Sequence, residues 1–493
     1  MLNKLLERAT GNLPLKKDKL FRPYMIYRLL TEPFGVWCDY HAPAEEAVEE
    51  ISRYEEMRMR QGVEFEGQWV KENYPEAVKI EPEFGYEALK NSLRTMLNGA
   101  PAIHAPQLWD LLGEIYGKAD LLVKCNDAPS DLGNYHYRVK EIKRSKNLQE
   151  YQILQAAMYN RMLGRIQGYT PPEITIVLKE SEEAIPYKDV ISKVDDALSK
   201  WRQIRDGILK PEPNGIDKTS APWRVYANKI LSDSKDLTLL PDIGPAGRSL
   251  IRETLNINSI DELANFSLEQ LIQTFKEKTA RNIFYHAQAY KYGKTVIAPG
   301  TKFKIPRRKR HIYFDFETSD EVHPTEPPHV YLIGAWDIEA DRFVYFLGRG
   351  ANDEERIFNE FIEYVGNPSG CCLYHWTDFE ISVMKDVAER HPGLSPGLNR
   401  LMEYCIDLKE IIKHQVFLPV PTYSIKSVAP ALGFNWRDEG KVDAFESMTL
   451  YWDFLKDGDK LKIKKAIDYN EDDCKAMVHT DLKLSEEFNF LSA

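Results

Sequence analysis

The stretch His311-Ile312-Tyr313-Phe314-Asp315-Phe316-Glu317-Thr318 decides how the C-terminal part of this chain is read. Side chains alternate along a β-strand, so Tyr313, Asp315 and Glu317 share one face and Ile312, Phe314 and Phe316 the other. The apolar face anchors the strand in a core. The opposite face carries two carboxylates two positions apart, which repel each other unless a cation lies between them. A metal site is the economical explanation.

Two further strand-like runs, VYLIGAWD and RFVYFLG, follow, then a helical run, EERIFNEFIEYV, another strand, CCLYHW, and helices to the end. Near the C-terminus DYNEDDCKAM places Tyr469 and Asp473 at i and i+4, on one helix face. Between these elements, LYHWTDFEISVMK supplies Glu380 at a helix start, with Asp378 the weaker candidate. Three antiparallel strands followed by alternating helices and strands is the order of an RNase H-like sheet. The region resembles the tyrosine-bearing subtype of the DEDD exonucleases within that superfamily. In the resemblance Asp315 and Glu317 form the D-x-E motif, and Tyr469 with Asp473 the Y-x-x-x-D motif. The second motif departs: Glu380 stands where the group has aspartate. CIDLKEII and TYSIKSVAPALGF are also similar, which implies substrate contacts from Asp407, Ser424 and Lys426. The implied chemistry is a pair of divalent ions, Mg²⁺ or Mn²⁺, held by Asp315, Glu317, Glu380 and Asp473, with Tyr469 positioning water.

Further upstream, GKADLLVK, a polar turn and YHYRVKEIKRSK read as a β-hairpin with a long loop. Glu141 and Lys143 then share a face, and pairing brings Asp120 beside them. Carboxylate oxygens are the ligands Mg²⁺ prefers, and a lysine beside them orients or deprotonates a water. Alone, Glu-x-Lys is an ordinary surface pair. The surroundings add to it: Gln155 and Tyr159 lie four apart on the following helix, and RQGVEFEGQWV places Gly62 and acidic residues ahead. With Gly117 and Asp120 these elements resemble the RecB-like branch of the PD-(D/E)xK nucleases. The resemblance implies catalytic Asp120, Glu141 and Lys143, metal binding by Asp120, Glu141 and Glu66, and substrate contacts from Gln155 and Tyr159. The branch's histidine ligand falls at Phe65, so Glu66, or less favourably Glu64, takes its place. Some relatives bind an iron–sulphur cluster through one cysteine before and three after these motifs. No cysteine lies between Cys125 and Cys371, so a cluster is excluded.

The middle of the chain shows short helices and no strand-like run. LTLLPDIGPAGRSLIRE resembles a helix-hairpin-helix module, which implies DNA-backbone contact through Gly244 and Gly247, with Ala246 where a second glycine is expected. A basic run, Lys302, Lys304, Arg307, Arg308, Lys309 and Arg310, is expected to guide phosphates.

Length and composition frame these readings. The chain has 493 residues, 43% hydrophobic and 29% charged, which calls for more than one domain. The net charge of -11 argues against coating nucleic acid by bulk charge and leaves room for local phosphate sites. Six scattered cysteines without a CxxC pair, no apolar leader and no membrane-length apolar run point to a cytoplasmic protein. The expected architecture is α/β and multidomain. It comprises a restriction-endonuclease-like PD-(D/E)xK domain at 1–215, an all-α helix-hairpin-helix segment at 230–295 and an RNase H-like domain at 305–493. The expected activity is metal-dependent DNA hydrolysis in repair, recombination or foreign-DNA processing, with a helicase or other repair protein as a conceivable partner. The competing readings are a DNA-binding scaffold with one degenerate nuclease domain and an RNA-directed exonuclease.

Overall fold

The structure, a computed structural model, describes residues 1–48, 51–301, 303–320, 327–437 and 440–491. It separates into two units, Met1–Ile51 with Arg58–Ala227 and Ser52–Met57 with Asn228–Ala493. Both mix helices and strands.

In the first unit the strands are β1 (Val78–Lys79), β2 (Ala102–His104), β3 (Gln107–Asp110), β4 (Ile115–Lys118), β5 (Leu121–Cys125), β6 (His136–Ile142), β7 (Glu173–Val177) and β8 (Glu182–Pro186). Six form one sheet in the order β1-β2-β5-β6-β7-β8, and β3 pairs with β4 separately. β5 and β6 are antiparallel, whereas β6 and β7 are parallel and need a crossover. Helix Glu150–Gln167 supplies it, opened by a reciprocal Gln149–Gln152 capping box and closed by Gly168 at φ 71°. Its Leu154, Met158, Met162 and Ile166 are buried in the core, where each such side chain contributes roughly 1.5–3 kcal/mol.

GKADLLVK, expected as one strand, is two. Gly117 and Lys118 end β4, and Asp120 lies in the bend before β5. Two backbone bonds clamp that bend, Ala105 N–H to Asp120 O (2.9 Å) and Ala119 N–H to Pro106 O (3.1 Å). The Pro- and Gly-containing stretch 210–222 is fastened down: Glu32 accepts from Ser220 N (2.5 Å) and Oγ (2.7 Å), and Asn214 donates to Thr31 O (2.7 Å).

The second unit begins with helices, among them Pro245–Leu255, Leu268–Thr274 and Glu277–Tyr292. Its strands are β9 (Val296–Ile297), β10 (Arg310–Thr318), β11 (Val330–Asp337), β12 (Arg342–Leu347), β13 (Cys371–His375), β14 (Cys405–Asp407) and β15 (Val416–Phe417). Five form a sheet in the order β12-β11-β10-β13-β14, antiparallel across β12, β11 and β10 and parallel from β10 to β14. The alternation on β10 separates two cores. Ile312, Phe314 and Phe316 pack with Phe358, Phe361 and Met384. Tyr313 packs on the other face with Cys474 and Met477 of helix Lys460–Leu491. No described helix is long and apolar enough to cross a membrane.

The basic run before β10 is largely consumed internally. Arg307 makes a two-pronged pair with Asp481, Arg310 pairs with Asp337 (2.6 Å), and Arg308 donates to Ser369 O (2.8 Å). These arginines anchor the strand, which corrects the expectation that the run as a whole guides phosphates. Lys304 and Lys309 remain exposed, and Lys302 lies outside the described residues.

Candidate functional site

Helix Lys460–Leu491 crosses the polar face of β10 and brings Asp473 to Asp315 and Glu317, with carboxylate oxygens of all three within 4.8 Å of one another. Glu317 and Asp473 are buried, at 4% and 8% exposure. Burial and the neighbouring carboxylates push Asp315 well above the usual carboxylate range, and burial and Asp473 push Glu317 up to about 8. Asp473 is also raised, chiefly by burial, against which Lys426 works. The three oppose their own ionisation, and their oxygens match the donor set a hard divalent cation takes.

Polar side chains of neighbouring elements reach the same carboxylates. Lys426 Nζ donates to Asp473 Oδ1 (2.5 Å), and Trp436 Nε1 donates to the same oxygen (2.6 Å). Lys426 Nζ also sits 4.1 Å from the centre of the Tyr469 ring. Burial keeps the Tyr469 phenol neutral, far above its ordinary range. Asn470 Nδ2 donates to Asp315 Oδ2 (2.9 Å) and Glu317 Oε1 (3.3 Å). Asn470 was missed by sequence reasoning. Its signal was present: it precedes Asp473 by three positions on one helix and shares the buried face. Gly334, opposite Asp315 in the sheet, makes room for it, since a Cβ there would lie 1.6 Å from Asn470 Oδ1. Trp436, far away in sequence, gave no such signal.

Glu380 is buried at the start of helix Phe379–Arg390 and adds to the field at Asp315. Its carboxylate faces His375 Nδ1 and Thr377 Oγ1, each at 3.4 Å, and it is outside the tight trio. Asp407 caps helix Leu408–Lys413, accepting from Glu410 N (3.0 Å). Ser424 is exposed and bonds Thr422 and Ser427.

In the first unit the register places Glu141 on β6 near the bend carrying Asp120. Ile142 N–H donates to Asp120 Oδ2 (2.7 Å), Lys143 Nζ lies 2.7 Å from Glu141 Oε1 and 3.8 Å from Asp120 Oδ2, and Gln155 Nε2 donates to Glu141 Oε1 (2.7 Å). Glu141 is fully buried, and its other oxygen, Oε2, has no hydrogen-bond partner among the described residues. A buried oxygen left without a donor calls for a partner of another kind. Burial and Glu141 raise Asp120 well above its usual range, and burial raises Glu141. Burial disfavours the Lys143 ammonium, but Glu141 and Asp120 outweigh it and hold the lysine charged.

Glu66, on helix Arg53–Asn73, accepts from or is paired with His104 Nε2 of β2 at 3.0 Å. His104 is a neighbour of Glu66 that sequence spacing did not reveal. Phe65 packs with Val70, Ala102 and Leu121, and Glu64 pairs with Arg60 at the surface (3.8 Å). Tyr159 is buried under Gly117, where a Cβ would meet its ring at 3.1 Å. Among the described residues, Glu66, Asp120 and Glu141 do not close to the spacing of the second unit's trio. Cys125, Asp127 and His136 do, but Arg138 supplies the cation there, pairing with Asp127 and donating to His136 Nε2 (3.4 Å).

At the hairpin, Gly244 precedes helix Pro245–Leu255 with open space beside it, and Gly247 lies on its first turn. The left-handed position is Asp242, φ 65°. Near it a cavity of about 960 Å³ is lined by Lys278, Arg281, Lys409 and Lys413.

Residues 312–484 match the family model of the RNase H superfamily, and the C-terminal part of the second unit is an RNase H-like domain. The match contains Asp315, Glu317, Glu380, Lys426, Tyr469 and Asp473. No curated protein matches the chain.

Proposed function

We propose that this chain is a divalent-metal-dependent DNA nuclease. In this reading the RNase H-like domain is a DEDD-type exonuclease, and the first unit is a RecB-like PD-(D/E)xK nuclease, with a helix-hairpin-helix segment at 230–295. The observation that carries it is the trio Asp315, Glu317 and Asp473, with oxygens within 4.8 Å inside a domain of a nuclease-rich superfamily. The domain limits remain 1–215, 230–295 and 305–493.

Asp315, Glu317 and Asp473 would hold Mg²⁺ or Mn²⁺, with Glu380 as a further ligand. Bound there, the ions neutralise developing charge on the phosphate and lower the pKa of a water. Tyr469, kept neutral, can orient that water as a hydrogen-bond donor or acceptor, and Lys426 offers charge to the phosphate. In the first unit Asp120 and Glu141 would hold the metal with help from Glu66, Lys143 would orient the nucleophile, and Gln155 would position Glu141. The four basic side chains of the 960 Å³ cavity support a polyanionic substrate despite the acidic whole. A role in repair, recombination or foreign-DNA processing follows from the pairing of two nuclease types.

The test is cleavage of end-labelled single- and double-stranded DNA with Mg²⁺ or Mn²⁺, comparing wild type, Lys143→Ala and Asp315→Ala. Distinct product patterns, each lost in one variant, are expected. Absence of metal-dependent cleavage by wild type on DNA would overturn the reading.

A further inference from the structure

A second cavity, of about 370 Å³, opens in the first unit, and Asp120, Gln155 and Tyr159 form part of its wall. Four further aromatic rings line it, Tyr24, Phe84, Trp109 and Tyr116, together with Leu15, Gln107, the cations Arg22 and Lys118, and two glycines. Trp109 and Tyr116 are buried, whereas Tyr24 is 57% exposed and Phe84 64% exposed, although both carry large apolar rings. Isolated exposed rings are common; two that converge on one cavity beside a carboxylate site mark a binding surface.

The polar groups around the cavity are arranged to leave the rings as its contact surface. Gln107, itself 2% exposed, accepts from Trp109 Nε1 (3.2 Å) and donates to Glu83 O (2.8 Å), which fixes the indole and satisfies its N–H. Two cations stand at the rim. Arg22 lies 5.1 Å from the Tyr24 ring centre and Lys118 Nζ 5.2 Å from that of Phe84. Arg22 forms no ion pair among the described residues, and Lys118 has Glu83 at 3.7 Å. Flat apolar walls of this size, flanked by positive charge, suit a planar heterocycle attached to a phosphate chain, and aromatic faces with cations are how single strands are held without sequence preference. A base within a duplex is already stacked on both sides and cannot enter.

We infer that this cavity takes the base of an unpaired nucleotide adjoining the phosphodiester presented to Asp120, so that the first unit acts on single-stranded DNA. This rests on reading the first unit as a nuclease. Arg22 and Lys118 hold the phosphates on either side, and Tyr24 and Phe84 close over the base.

The test uses a short single-stranded DNA with 2-aminopurine placed at successive positions, mixed with the full-length protein in EDTA so that nothing is cleaved. Stacking quenches this base. Wild type should quench it at one or two positions, and Tyr24→Ala/Phe84→Ala should abolish the quench and weaken binding roughly tenfold or more, leaving duplex binding unchanged. Both rings are exposed, so the variant should keep the wild-type Tm, and Phe84→Trp should retain the quench. Equal quench and affinity in wild type and the double alanine variant would overturn the inference, as would equal losses on duplex DNA. With Mg²⁺ restored to full-length Asp315→Asn protein, which silences the second unit's site, ring-dependent quenching without any cleavage would leave the base pocket standing and remove the nuclease reading of the first unit. Cleavage with no ring dependence would do the reverse.

Discussion

The two carboxylate sites solve the same electrostatic problem differently. At Asp120 and Glu141 the fold supplies its own cation: Lys143 Nζ is 2.7 Å from one carboxylate and 3.8 Å from the other. At Asp315 and Glu317 it supplies a neutral amide, Asn470, and places its lysine on Asp473 at the edge. At the second site a single lysine, Lys426, faces three buried carboxylates, so that site should depend more on an external cation. At the first, Lys143 offsets part of the repulsion between Asp120 and Glu141.

The sharpest way to break this comparison is Asp315→Asn. It should lower the exonuclease product by on the order of 10³-fold, comparable to removing a major electrostatic contributor, with the first unit's product unchanged on end-labelled DNA. In EDTA the same variant should melt no lower than wild type, because one member of a repelling trio is gone, and it should lose the thermal shift on adding Mg²⁺. Next is Lys143→Ala, expected to cost on the order of 10²-fold in the first unit's product. Unlike Asp315→Asn, it should also lower the metal-free Tm, since Asp120 and Glu141 lose their screen.

A smaller contrast is pH sensitivity in the second unit. His286 is 1% exposed, and burial lowers its pKa from 6.5 to about 4, against a hydrogen bond from its Nδ1–H to Leu418 O. The unfolded chain takes up a proton below 6.5 and the folded one does not until near 4. Stability is therefore complete above 6.5 and falls as pH drops through that window, by about 2 kcal/mol between pH 7 and pH 5. Denaturant melts of His286→Gln should show that much less loss over the same interval. The smallest pair compares glycines. Gly334→Ala forces a Cβ to 1.6 Å from Asn470 Oδ1, while Gly117→Ala meets Pro23 at 3.0 Å and Tyr159 at 3.1 Å. The first should cost on the order of 1 kcal/mol or more in Tm-derived stability and weaken Mg²⁺ binding; the second should cost less and leave Mg²⁺ binding in the second unit alone.

Legibility followed sequence distance. Asp315 and Glu317 lie on one strand face and Tyr469, Asn470 and Asp473 on one helix, so local periodicity exposes their shared direction. Glu141, Lys143, Gln155 and Tyr159 were readable in the same manner. Asp120 was legible as a residue but not as a bend, because what ends β4 is its pairing with β3, a partner that residue spacing does not announce. The basic run misled because charge composition cannot tell an arginine facing a phosphate from one facing Asp481 or Asp337.

What the sequence determined by itself is periodicity: which faces of β10, of β6 and of the long helices carry carboxylates, and that their order along the chain resembles two nuclease types. Which of those groups meet was decided only by the tertiary structure. His104 reaches Glu66, Trp436 reaches Asp473, Glu380 turns toward His375, and Tyr24 and Phe84 converge on the wall that holds Asp120. The physical reason is range. Alternation and helical repeat fix direction over a few residues, whereas contacts across tens or hundreds of residues depend on how sheets and helices pack once apolar faces are buried.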